Sequence, residues 1–198
     1  MRLGILGGTF DPVHTGHLFI GQAAKNEMAL DQVLFLPDGD PPHKRPGATP
    51  GQRYQMVCLA IAGQQEFCAS DMELVRPGRT YTVDTLLALK ARNPEDELFY
   101  IIGSDTLFEF PTWKTACEVA RLCEMLVINR PGDQEEDVIR REQRRLLAEY
   151  NLRSRLLDVR GPDVSSRMIR KRLRAGEGID NFVPESVAAY IKQHKLYL

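Results

Sequence analysis

A chain of 198 residues with 43% hydrophobic and 27% charged residues has the composition of a folded globular domain and excludes a disordered one. No apolar run approaches the ~20 residues of a membrane helix, and the start at residues 1–8 has too few apolar and basic residues for a secretory leader, so a cytoplasmic protein is expected. The formal net charge of −1 hides a split: residues 1–137 carry 12 Lys and Arg against 20 Asp and Glu, and residues 138–174 carry 12 against 4.

In chain order, residues 3–6 read as a buried strand closed by Gly7-Gly8. The spacing of Leu18, Ala24 and Met28 predicts a helix over 17–28. Residues 33–36 form a second strand, stopped by Pro37, and the Pro- and Gly-rich stretch 37–50 is a loop. A helix over 50–64 presents Met56, Val57, Leu59, Ala60 and Ile61 to the core. Strand pieces are expected at 67–69 and 72–74, then a helix over 82–92 with Val83, Leu86, Leu87 and Leu89 as its apolar set. The apolar run 98–102 is a strand, again ended by glycine; a helix over 112–123 and a strand over 125–128 follow. Residues 134–150 form a charged helix. Its Arg140, Arg141, Arg144 and Arg145 are interleaved with Glu142 and Glu149, so a solvated face is expected rather than contact with nucleic acid. A last strand at 156–159 and helices near 165–174 and 184–195 complete the chain. Cys58, Cys68, Cys117 and Cys123 lack CxxC spacing, which favours buried free thiols over disulfides or zinc. Alternating strands and helices predict an α/β fold: a mainly parallel sheet with helices on both faces. The whole of 1–198 is read as one domain, with a small helical C-terminal part from about 160.

Ligands of open parallel sheets lie beyond the carboxyl ends of the strands, so the segments just after strands matter most. The first is Gly7-Gly8-Thr9-Phe10-Asp11-Pro12-Val13-His14-Thr15-Gly16-His17. The glycines let backbone approach an anion, and amides at the following helix start can receive phosphate. His14 and His17, three residues apart, can face one point and donate to phosphate oxygens. A plain tight turn competes with this reading. A zinc site would lack a third ligand, and the Walker A pattern is absent. The second segment, Pro37 to Lys44, offers a loop stiffened by prolines and a point charge at Lys44. In the third, Arg79 to Thr85, hydroxyls and helix-start amides suit a carboxylate, although a capped helix with a buried tyrosine explains it equally. The fourth runs from Ile101 through Gly103 and Asp105 to Trp113: the carboxylate suits ribose hydroxyls, and the flat indole suits either a core or a stacked ring. In the fifth, Val164 to Arg170, two serines open a helix and Arg170 offers a fork for phosphate oxygens.

Taken together, these segments carry a resemblance. Residues 8–17 resemble the signature of the nucleotidylyltransferase superfamily, whose HxGH element binds the nucleoside triphosphate. Pro41-Pro42-His43-Lys44 resembles the loop of bacterial-type nicotinate mononucleotide adenylyltransferases, and Tyr81 to Thr85 their Y-T-x-D-T. Gly103-x-Asp105, Pro111-x-Trp113 and Ser165-Ser166-Arg167-Met168-Ile169-Arg170 follow in family order. The resemblance implies a Rossmann-like fold and transfer of the adenylyl group of ATP to nicotinate mononucleotide, giving nicotinate adenine dinucleotide and pyrophosphate. By this resemblance His14, His17, Lys44 and Arg170 are catalytic. Gly8, Thr9, Phe10, Gly16, Gly103, Asp105, Arg130, Ser165 and Ser166 contact ATP. Tyr81, Thr82, Thr85 and Trp113 contact the mononucleotide. Mg²⁺ arrives with ATP rather than in a protein cage. No nucleic-acid or membrane partner is implied. Nicotinamide mononucleotide, another phosphate acceptor, or a non-catalytic nucleotide-binding regulator remain the alternatives. One departure stands out: Arg167 occupies the position of the family's threonine, so either a hydroxyl contact is lost or a charge is gained.

Overall fold

In the computed structural model, residues 1–39, 46–76, 78–129, 134–157, 159 and 161–198 are described. Among the described residues six strands, β1 (Arg2–Gly8), β2 (Gln32–Pro37), β3 (Phe67–Ala69), β4 (Glu97–Gly103), β5 (Glu124–Ile128) and β6 (Ser154–Leu157), form one parallel sheet in the order β3-β2-β1-β4-β5-β6. The chain builds outward from β1 to β3, then returns to the other side of β1 with β4. The direction of winding therefore reverses between β1 and β4, where the strand ends diverge and leave a crevice.

The helices are α1 (Thr15–Met28), α2 (Pro50–Ile61), α3 (Thr82–Arg92), α4 (Ser104–Glu109), α5 (Ala116–Leu122), α6 (Glu136–Tyr150), α7 (Ser166–Arg174) and α8 (Glu185–Gln193). Because successive strand residues point to opposite faces, each central strand feeds two cores. Ile5, Leu36, Ile102 and Val127 pack against α3 to α6 through Leu86, Leu107, Val119 and Ile139. Leu6, Phe35, Ile101 and Leu126 pack against α1, α2, α7 and α8 through Ala24, Met56, Ile169 and Val187. Both faces being covered explains why these strands read as continuous apolar runs. Each such side chain contributes about 1.5–3 kcal/mol on burial.

Several boundaries differ from the sequence expectations for local reasons. Residues 72–74 form turns, not a strand. The helix expected from 112 starts at Ala116, because Phe110–Thr112 is a 3-10 turn around Pro111 and Thr115 adopts φ +51°. Helix α4 begins inside the fourth motif segment, between the expected strand 98–102 and the helix expected from 112, where no helix was expected. Strand β6 lies two residues earlier than expected, at the sheet edge. Beyond α8 the chain folds back, with Lys195 and Tyr197 at positive φ and Leu196 and Tyr197 buried. All four cysteines are free, but only Cys123 is buried; Cys58 and Cys68 are half-buried and Cys117 is exposed, which corrects the expectation of buried thiols. Arg140 and Arg145 of α6 pair with Glu136, Glu142 and Glu149, as a solvated face requires. Among the described residues no helix is long and apolar enough to cross a membrane.

Candidate active site

A cleft of about 610 Å³ opens at the switch point. Gly7 and Gly8 end β1 on one side and Gly103 ends β4 on the other. A Cβ on Gly7 would lie 2.7 Å from the Tyr100 hydroxyl, so glycine is needed for β1 to pass this ring. A Cβ on Gly8 would meet only the Phe10 ring at 3.5 Å, an ordinary contact, so its lack of a side chain serves the open cleft instead. Phe10 has φ +49°, an unfavourable conformation for a bulky residue, with its ring buried edge-on to His17.

This turn is held from beneath by Arg53 of α2, whose guanidinium has no exposed surface. It donates to the carbonyls of Thr9, Asp38 and Gly39 and to the Asp38 carboxylate, at 2.7–3.1 Å. Thr9 Oγ1 donates to the other Asp38 oxygen at 2.8 Å. The loops after β1 and β2 are thereby fixed to each other, and a buried charge is stable there because its partners are hydrogen-bonded to it.

His14 is the N-cap of α1, and its backbone N–H donates to His17 Nδ1 at 3.2 Å. The rings stack with centroids 3.7 Å apart. His17 lines the main cleft, whereas buried His14 lines a smaller adjoining cavity of about 160 Å³ with Gly16, Phe19, Asn129, Gly161, Val164 and Ser165. Gly16 lets α1 approach closely, since a Cβ there would lie 2.9 Å from Val164 and 3.1 Å from the His14 ring.

Helix α7 closes the cleft. Ser165 caps it by accepting from the Met168 N–H at 3.2 Å, and Ser166 Oγ donates to the Pro12 carbonyl at 2.8 Å. Arg170 donates to the Asp11 carbonyl and lies 3.5 Å from the Asp11 carboxylate. That carboxylate is buried and accepts three further hydrogen bonds, from the amides of Gly47 and Ala48 and from the Tyr197 hydroxyl. Burial first, and the adjacent Asp11 charge next, raise the pKa of Tyr197, so its hydroxyl remains a donor.

On the β4 side, Asp105 and Thr106 line the cleft, and Asp105 Oδ1 accepts from the Thr106 N–H at 2.9 Å. Tyr100 also lines it; burial first, and the Glu73 charge next, raise its pKa, and the neighbouring Thr82 side chain at the α3 start offsets this in part. Tyr81 is the N-cap of α3 without a capping side-chain bond, and Lys114 Nζ sits 4.2 Å above its ring. Thr85 is fully buried and its hydroxyl donates to Glu73 at 2.7 Å, so here it organises α3 from within. Trp113 packs edge-on against Tyr100 and lines a shallow outer depression, not the main cleft. Lys44 and Arg130 lie outside the described residues. Among the described residues no three His, Cys, Asp or Glu side chains gather as a metal site.

Sequence reasoning thus missed Asp11, Asp38, Arg53, Tyr100, Thr106 and Tyr197. One signal was present: Arg53 continues the buried stripe of Met56, Val57 and Ala60 at helical spacing, where a charge is out of place unless paired. Nothing local marked Tyr197.

An open parallel sheet with an HxGH helix start at its switch point and a serine- and arginine-bearing helix opposite defines a nucleotidyl-transfer scaffold. The family model described as Cytidylyltransferase-like matches residues 5–172. A Dehalococcoides mccartyi protein named "Probable nicotinate-nucleotide adenylyltransferase" is 42% identical over 202 residues, covering 100% of this chain and 97% of its own. A Synechococcus protein (strain JA-3-3Ab) of the same name is 43% identical over 201 residues, covering 100% and 95%. The chain therefore belongs to the cytidylyltransferase-like family and, within it, to the nicotinate-nucleotide adenylyltransferases. The fold is also that of a Plasmodium falciparum nicotinic acid mononucleotide adenylyltransferase solved with NaAD, with TM-score 0.79, 18% identity, and 99% and 97% of the two chains covered.

Proposed function

We propose that this chain transfers the adenylyl group of ATP to nicotinate mononucleotide, releasing pyrophosphate and forming nicotinate adenine dinucleotide, a step of NAD biosynthesis. The observation that carries the reading is the meeting of Gly8, His17, Gly103, Asp105, Ser166 and Arg170 around one cleft. The purine enters the small cavity beside His14, Asp105 receives ribose hydroxyls, and the triphosphate runs between the HxGH turn and α7. The mononucleotide phosphate, already anionic at neutral pH, attacks the α-phosphorus in line without a protein base. Catalysis is positioning together with donors that strengthen as charge develops. Mg²⁺ enters as the ATP complex, consistent with the phosphate-dominated coordination that ion prefers.

The pyridine ring is assigned to the Tyr100 wall of the cleft, on the side of the α3 start, with Trp113 backing that wall through its edge-on contact with Tyr100. The first-turn amides of α3, uncapped by Tyr81, favour the carboxylate of the acid over the neutral amide. The test is pyrophosphate release with ATP, Mg²⁺ and either mononucleotide. Release with nicotinate mononucleotide well above nicotinamide mononucleotide is expected. Equal rates would remove the ring assignment, and no release with either would remove the reaction.

A further inference from the structure

We propose that Arg167 is a catalytic residue that grips the pyrophosphate end of the nucleotide and takes up the charge developing there during transfer. The proposal rests on the adenylyl-transfer reading. Arg167 lines the main cleft beside Ser166 and Arg170, which stands three residues on along the same face of α7. Its neighbours are already engaged: Ser165 with the Met168 amide, Ser166 with the Pro12 carbonyl, and Arg170 with Asp11. Arg167 is exposed and makes no hydrogen bond or ion pair with any described residue.

Its place on the helix is the second argument. Arg167 sits in the first turn of α7, where the helix dipole presents positive potential and acidic side chains are the stabilising choice. That turn carries no acidic residue. A cation at this end is electrostatically unfavourable in the empty protein and becomes favourable once an anion lies between it and the helix amides. The hydroxyl lost at this position is thus replaced by a guanidinium that can fork two phosphate oxygens. In the transfer step, the mononucleotide oxygen bonds to the α-phosphorus as the bond from that phosphorus to the bridging oxygen breaks. The electron pair leaves on pyrophosphate, and Arg167 stabilises that charge.

Arg167→Thr restores the family residue, and Arg174→Thr removes the same charge from the exposed far end of the helix. In metal-free calorimetry with inorganic pyrophosphate, Arg167→Thr is expected to weaken binding about tenfold, as for a lost charge-assisted hydrogen bond, while Arg174→Thr binds as wild type does. In turnover assays Arg167→Thr is expected to lower kcat/KM for ATP by about the same factor, leave KM for nicotinate mononucleotide unchanged, and require more Mg²⁺ for half-maximal rate. Wild-type pyrophosphate affinity in Arg167→Thr, or equal losses in both variants, overturns the proposal while leaving the adenylyl-transfer reading intact. If Arg167-dependent pyrophosphate binding is seen in a protein that turns over neither mononucleotide, the reaction assignment fails and the anion site stands.

Discussion

Because His17 accepts the His14 amide through Nδ1, its neutral ring carries its proton on Nε2 and presents a donor on the wall of the cleft. The same hydrogen bond closes the first turn of α1, so one side chain both caps the helix and aims a donor into the cleft proposed for the polyphosphate. The two jobs separate experimentally. His17→Ala loses a donor whose contact strengthens towards the transition state, so kcat is expected to fall by about 10²–10³ while KM for the mononucleotide changes little. Loss of the reciprocal cap costs about 1 kcal/mol of stability, visible in urea denaturation. Unchanged turnover in the folded variant would remove His17 from the reaction. Asp11 shows the complementary case. It touches the cleft, but its carboxylate is engaged by two amides and a tyrosine, so its work is to hold Arg170 and the turn in register.

At the level of elements, strands flanked by glycine and helices with an apolar stripe were legible, because period-two and period-3.6 burial leave their mark within a short window. Helix α4 was not legible: it is six residues long and opens on the Gly103 to Asp105 motif, which reads as a loop. Trp113 was legible as an aromatic platform, yet the sequence carries no sign that it packs against Tyr100 outside the cleft. The C-terminal return was invisible for a different reason. Its hydrogen bond spans from Tyr197 to Asp11, and long-range pairing of this kind leaves no local pattern. The fold-back also seats the Tyr197 ring over Gly47, where a Cβ would come within 2.9 Å. Tyr197→Phe keeps the ring and deletes only the hydroxyl, leaving a buried carboxylate one donor short. A loss of about 1–3 kcal/mol in chemical denaturation is expected, with activity reduced less than in Arg170→Ala. A variant as stable as wild type would show that the tail rests on the site without supporting it.

Across the whole molecule, the cleft lies on the seam between two helical layers. The layer with α1 and α7 carries His17, Ser166 and Arg170, and the layer with α3 and α4 carries Thr82 and Asp105. In the proposed reaction ATP therefore spans both layers, from His17, Ser166 and Arg170 across to Asp105, with the parallel sheet as the common base. Buried charge beneath this seam includes Arg53 with Asp38 on one side and Glu73 on the other. Burial pushes the Glu73 carboxyl up from the ordinary value of 4.5, and the Thr85 hydrogen bond and the Arg76 charge offset this only in part. A raised folded-state pKa means that folded protein keeps a proton which unfolded chain has released. The stability from this group is fully present below the ordinary value and is lost as pH rises through the folded value. Glu73→Gln removes the titration and still offers a carbonyl oxygen to the Thr85 hydroxyl. Relative to wild type, the variant is expected to gain stability as pH rises above the ordinary value of 4.5 and until the raised folded-state value of Glu73 is passed, read from urea midpoints at each pH. A difference that stays flat over that range would place the proton balance of this seam elsewhere than on Glu73.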